Sequence, residues 1–212
     1  MKTKIFLVIF SLFIFLTACQ PEPEPEPLPG DILFADDFST RENQWTSFVN
    51  EGGAMGYDAG GFRFFIKEVG VSYWTTPELN FSDARVEVDV LQYAGPVENR
   101  MGVICRYQND QNYYFFVIST DGYYAVGKRN AGKQILLEQE AMLYSSVIET
   151  GLAINHLEAE CNGSTLSFFV NDTLLARVED EDFTEGDVGL LAGTFDKGEI
   201  DILFDNFVVL QP

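Results

Sequence analysis

With 33 Asp and Glu residues against 13 Lys and Arg and one histidine, the carboxylate is the most frequent reactive group in this 212-residue chain. Acid/base hydrolysis takes two carboxyls about 5 to 10 Å apart, and so many acids make chance pairs easy. The alternation Asn155-His156-Leu157-Glu158-Ala159-Glu160-Cys161 puts His156 on the polar side of a strand with Glu158 and Glu160. No nucleophile, base and acid relay follows from it. The pairs Gly52-Gly53 and Gly60-Gly61 open no helix, which excludes a phosphate cradle. A better-marked feature is Tyr113-Tyr114-Phe115-Phe116-Val117-Ile118, apolar or aromatic at both parities. An antiparallel strand requires that only when its second face is covered or meets a ligand. Tyr57, Trp74, Tyr107, Tyr123 and Tyr124 add flat rings, and Arg106 adds a fork of donors. The ligand-binding set read from these residues is Tyr57, Trp74, Arg106, Tyr114 and Tyr124. Sugars suit it, because their C–H faces stack on rings while their hydroxyls take directional hydrogen bonds. The opposing reading is that the rings fill a core.

The elements that must position these groups are short strands. Arg85-Val86-Glu87-Val88-Asp89-Val90 alternates strictly, as does the stretch around His156. Asn109-Asp110-Gln111-Asn112, Asp121-Gly122, Asn162-Gly163, Asn171-Asp172 and Glu185-Gly186-Asp187 supply turns between them. Hairpins at this spacing predict an all-β, antiparallel two-sheet sandwich. No segment has a convincing helical period; Gln134 to Val147 is the one ambiguous stretch, and Ile135-Leu136-Leu137 can begin a strand. A composition of 46% hydrophobic and 14% aromatic residues is ample for one core. The net charge of −20 excludes nucleic acid as a partner, since no surface of that sign neutralises phosphates.

The N-terminus reads as a processing segment. Lys2 and Lys4 precede an apolar run, Ile5 to Phe15, that is too short to span a bilayer. Leu16-Thr17-Ala18-Cys19 resembles a bacterial lipoprotein box. That resemblance implies cleavage of residues 1–18, lipidation of Cys19 and an exported chain held outside a bacterial membrane. The Pro/Glu alternation Pro21 to Pro27 makes residues 19–30 an extended or disordered spacer, leaving 31–212 as the folded domain. Cys105 and Cys161 then form an even pair in an oxidising compartment, and a disulfide is expected; two buried free thiols are the alternative. With one histidine the pair supplies too few ligands for zinc.

Several segments together resemble the concanavalin A-like lectin/glucanase superfamily: Phe34-Ala35-Asp36-Asp37-Phe38-Ser39 with Trp45, Gly102 to Gln108, Asn112 to Tyr124, Gly186-Asp187-Val188-Gly189-Leu190, and Phe204-Asp205-Asn206-Phe207-Val208-Val209. They are most similar to its laminin-G-like branch, which includes the 3-keto-disaccharide hydrolases. The resemblance covers residues 31–212 and implies a jelly-roll sandwich whose first and last strands pair, with Phe34 to Phe38 beside Phe204 to Val208. Laminarinase-like members use an E-x-D-x-x-E strand, and two near-matches occur here. Glu87-Val88-Asp89-Val90-Leu91-Gln92 ends in an amide and Glu199-Ile200-Asp201-Ile202-Leu203-Phe204 in a ring. Both lack the general acid/base and read as ordinary strands with their acids in solvent. The neighbouring strands would also gather Asp36, Asp37 and Asp205, whose oxygens suit a structural Ca²⁺. The reading adopted is that no cofactor or metal is bound and that such acids serve backbone donors. A tethered, non-catalytic, glycan-binding domain is therefore expected. The alternatives are a glycoside hydrolase of the same superfamily and a cell-envelope protein-interaction module.

Overall fold

The computed structural model describes residues 26–212. Lys2, Lys4, the Ile5–Phe15 run, Cys19 and most of the Pro/Glu spacer lie outside the described residues. Those described form an antiparallel jelly-roll sandwich with no helix among them. One sheet has nine strands, in the order β14 (Thr173–Glu179), β13 (Thr165–Val170), β12 (Ile154–Asn162), β6 (Ala84–Ala94), β16 (Ile200–Leu210), β4 (Gly61–Ile66), β3 (Gly53–Asp58) and β2 (Phe48–Asn50). Its ninth strand, β1 (Ile32–Asp36), pairs with the C-terminal half of β16, placing Phe34 opposite Val209 and Asp36 opposite Phe207. The expected pairing of first and last strands is thus present.

The second sheet has seven strands: β10 (Lys133–Leu136), β9 (Tyr123–Asn130), β8 (Asn112–Ile118), β7 (Asn99–Asn109), β15 (Asp187–Thr194) and β5 (Ser72–Thr75), with β11 (Leu143–Tyr144) on β9. The ambiguous stretch after Gln134 therefore contributes two short strands.

Period-two alternation decides which side chains meet between the sheets. From the larger sheet come Val86, Val88 and Val90, Leu157, Ala159 and Cys161, and Phe62, Phe64, Phe168 and Phe204. The smaller sheet answers with Val103 and Cys105, Tyr114, Phe116 and Ile118, and Val188 and Leu190. Cys105 of β7 and Cys161 of β12 are joined by a disulfide across this core. It closes a separation of 56 residues, worth about 4 kcal/mol of unfolded-chain restriction in the loop-entropy treatment.

At one end Asp36 uses both carboxylate oxygens, taking the Phe38 N–H at 2.7 Å on one and Asn43 and Trp45 Nε1, each at 2.8 Å, on the other. Asp201 departs from expectation. It is not in solvent but buried beneath Arg63, whose fork reaches its two oxygens at 2.7 and 2.6 Å.

Candidate functional site

The five ring and arginine positions read from the sequence do not converge. Tyr114 lies on the inner face of β8 and is fully buried. Its hydroxyl donates to Asp180 at 2.5 Å and accepts the Phe183 N–H at 3.1 Å. Burial, then the Asp180 contact, raises its pKa far above the ordinary phenol value. Tyr124 is also turned inward, its hydroxyl donating to the Leu175 carbonyl at 2.9 Å. Arg106 would alternate outward from Cys105, but a bulge intervenes. Between the pairs Asn109–Asn112 and Cys105–Tyr114, three residues of β7 oppose the single Tyr113, and Arg106 adopts φ 50°. Its guanidinium turns in to the carbonyls of Ser82 and Phe183, at 3.0 and 2.9 Å, and to Asp83 at 3.1 Å. Tyr57 belongs to the other sheet, edge-on to Phe38 and Phe62, with its hydroxyl on the Asn43 carbonyl at 2.9 Å. Burial, with Asp36 nearby, pushes its pKa up to about 12.

Trp74 alone of the five lies on the outer face of the seven-stranded sheet, opposite Leu191 in the β5–β15 pairing. That face carries the other half of β8. Tyr113, Phe115 and Val117 pack there with Ile104, Ala125 and Leu191 into a second apolar cluster, and Trp74, Tyr107, Leu136 and Met142 lean on it. The Trp74 indole donates to the Tyr107 hydroxyl at 3.3 Å. Its ring lies 6.2 Å from that of Tyr113, which is 5.7 Å from that of Tyr107. Beside Trp74, where the free edge of β5 faces β2 and β3, is a hollow of about 470 Å³ bordered by Phe48, Met55, Tyr73 and Tyr107.

Two arginines sit further along the same face, Arg100 on β7 and Arg129 on β9. The Arg100 guanidinium lies 4.9 Å over the Phe195 ring and donates to Gln134 at 3.1 Å and to the Thr194 carbonyl at 3.3 Å. Burial draws its pKa down from the ordinary value, with Tyr113 opposing. Burial likewise raises Tyr113, while Arg129 and Arg100 pull it back. Between the two arginines lies a small cavity of about 20 Å³, bounded also by Ser72, Tyr113 and Gln134. Tyr113, Arg100 and Arg129 were missed by the sequence reading, although Tyr113 follows from Cys105: residues paired across a hairpin share a face, so an inward cysteine sends Tyr114 inward and Tyr113 outward.

The carboxylates capable of acid/base work gather elsewhere, on the outer face of the nine-stranded sheet. Asp89 and Asp205 are directly opposed in the β6–β16 pairing. Asp89 holds His156 Nδ1 at 2.8 Å and Asn206 at 2.9 Å. Asp205 is pushed above its usual range, by burial first and then by Asp89 and Asp37, against the Asn206 N–H.

No protein-family model matches the sequence, and no curated protein matches it either. Solved structures do match. A carbohydrate-binding module, CBM66 from Bacillus subtilis, is 19% identical and aligns over 81% of this chain and 98% of its own, with a TM-score of 0.65. A protein of unknown function with a galectin-like fold, also from Bacillus subtilis, is 10% identical over 87% of this chain and 97% of its own, at 0.64. The GH43 protein BlXynB of Bacillus licheniformis is 15% identical, with 90% of this chain covering 41% of that one at 0.62. At these identities the likeness is one of fold: the chain is an antiparallel two-sheet jelly-roll sandwich, as those structures are.

Proposed function

We propose that the chain is an exported, lipid-tethered protein that binds glycan without cleaving it, on the outer face of its seven-stranded sheet. The observation that carries this reading is the half-exposed pair Trp74 and Tyr107, backed by the buried Tyr113 ring, beside an open hollow of about 470 Å³. Rings of this kind give a sugar an apolar surface, and Tyr and Trp retain a polar atom for its hydroxyls. A solved protein of this fold, CBM66, is a carbohydrate-binding module, which supports the same reading. The apposed Asp89 and Asp205 lie on the outside of the opposite sheet, and packed sheets are about 10 Å apart before their outward side chains are added. A sugar on the rings is therefore out of reach of that pair. Screening the purified protein on a glycan array tests the proposal. A bound glycan whose affinity collapses in Trp74→Ala is the expected result, and an array without a hit overturns it.

The second reading is hydrolysis, and the Asp89–Asp205 pair favours it. One carboxyl is held by His156 and Asn206 while its partner is pushed up, so the two have unlike environments, as acid and base roles require. A hollow of about 270 Å³ opens beside them, bordered by Tyr93, Ile154 and Leu203. Loss of glycan hydrolysis in Asp205→Asn, with binding kept in Trp74→Ala, would install this reading in place of the first.

A further inference from the structure

We infer that Arg100 and Arg129 form an anion-reading subsite on the proposed glycan platform, so that its ligand is a saccharide bearing a carboxylate, such as a uronic or nonulosonic acid. This rests on the glycan-binding reading above and adds the charge of the ligand to it.

Of the seven arginines, Arg63, Arg85 and Arg106 pair with carboxylates, while Arg41 donates to the Tyr57 carbonyl and Arg177 donates its Nε–H to Ser167. Among the described residues Arg100 and Arg129 form no ion pair, and the Nε–H of each is buried without a hydrogen-bond partner; the Nε–H of Arg85 also lacks one but lies 3.1 Å from the Glu87 carboxylate on the other sheet. A buried, unmatched charged donor costs free energy, so two on one face mark a place prepared for an acceptor. The face itself withholds one. Outward positions near the two arginines are Ser72, Leu191, Gly193, Tyr113, Phe115 and Gln134, none of them acidic. The acid at matching parity, Asp187, is at the far end of β15 and is occupied by the Val188 N–H at 2.8 Å and by Thr76.

The geometry selects the kind of acceptor. A cavity of about 20 Å³ admits one water-sized oxygen and excludes a sugar ring. A carboxylate can place one oxygen between the guanidiniums and leave its ring outside, toward Tyr113 and the Trp74 row. Planar forks match a carboxylate two bonds at a time. The negative charge of the whole chain opposes an anion only at long range, because salt screens it beyond about 8 Å, whereas both arginines would be in contact.

The test titrates the full chain calorimetrically with oligogalacturonate, sialyllactose and alginate oligomers, each beside its carboxyl-reduced form. One acidic probe should bind about tenfold or more tighter than its reduced twin. Arg129→Gln and Arg100→Gln should each erase that preference with the far-ultraviolet spectrum unchanged. Arg100 also packs on Phe195, so Arg129→Gln decides the matter if Arg100→Gln fails to fold. Equal binding of acid and reduced forms, or a preference that survives both substitutions, overturns the subsite. If neutral glycans bind in a Trp74-dependent way and no acidic probe gains, the platform stands and the anion subsite falls. If neither class binds, both fall.

Discussion

Replacing Tyr114 by alanine should unsettle the fold, whereas replacing Trp74 should chiefly abolish binding, although both are aromatic residues of the same sheet. Tyr114 is fully buried, with its ring 5.0 Å from that of Phe183. Loss of such a ring leaves a cavity costing about 3–5 kcal/mol. Loss of the hydroxyl also strands the Phe183 N–H and one oxygen of Asp180, at about 1–3 kcal/mol for a buried orphan, less whatever water entering the cavity recovers. A total near 5 kcal/mol corresponds to about 10–20 °C in melting temperature for a domain of this size. Tyr114→Phe, which keeps the ring, should lose only the hydroxyl's share, about 1–3 kcal/mol. Trp74 is half-buried at the rim, and its truncation should shift the melt by a few degrees. A central aromatic anchor is worth about 2 kcal/mol or more of affinity, roughly thirtyfold. Thermal unfolding by circular dichroism and calorimetric titration with a glycan from the array measure both quantities. A Tyr114→Ala protein that melts with the parent yet loses the glycan would refute the assignment of β8 faces.

Three further outcomes follow from the same structure. Reduction of Cys105–Cys161 should lower the melting temperature by about 8–16 °C, from about 4 kcal/mol of released loop entropy; a non-reduced digest lacking the linked peptide would remove the premise. Stability should fall with acid as Asp180 protonates. Burial works against its charge, but Lys128 and Tyr114 hold its carboxyl below the ordinary value, so the unfolded chain takes that proton more readily. The contribution is complete above about pH 4 and is lost as pH falls through the depressed folded value. Urea midpoints against pH should flatten there in Asp180→Asn, and an acid limb identical to the parent's would show that the Lys128 contact contributes nothing. Cys19→Ala should take up no fatty-acid label, and equal labelling of mutant and parent would end the lipoprotein reading.

The sandwich was legible because it rests on parity and turn chemistry, both local. Val86, Val88 and Val90 and the series Leu157, Ala159, Cys161 could be assigned to one face without knowing what they touch, and the structure puts them in the core. The binding face was less legible for a physical reason. In Tyr113 to Ile118 both parities are apolar, so alternation carries no information about which half is inside. Only the partner strand settles it, through the pairing of Cys105 with Tyr114. Arg106 shows the limit of parity more sharply. A bulge of extra residues between Cys105 and Asn109 reverses the outward direction that alternation assigns to it, and nothing in the spacing Cys105-Arg106-Tyr107 announces positive φ at an arginine. Alternation of its strand assigns Asp201 to solvent, yet the cation that covers it lies 138 residues away in sequence.

The outward glycines of the seven-stranded sheet supply a separate check on how that face is built. Glycine weakens a strand interior and often marks a close approach. At Gly127 a Cβ would collide with the Phe115 ring and lie 2.6 Å from the Ile135 carbonyl, and at Gly193 it would lie 2.7 Å from Arg100 Nε, Ser72 Oγ and the Val71 carbonyl alike. These are the places where neighbouring side chains lie flat on the sheet. Phe115 crosses Gly127, and Arg100 crosses Gly193 toward Phe195. The apolar floor is closed over in this way, with Phe115 only 4% exposed, and the polar forks and the Trp74 row are left at the rim. A methyl at Gly193 should therefore displace Arg100, along with the Ser72 hydroxyl and the Val71 carbonyl, although it touches no ligand itself. Gly193→Ala should cost about 1–3 kcal/mol as overpacking and should weaken an acidic glycan as much as Arg100→Gln does. Melting curves and titrations of the two variants side by side give the answer. An alanine variant that loses stability but keeps the full preference for the acidic form would mean that Arg100 can move without consequence, and that its position over Gly193 is packing alone.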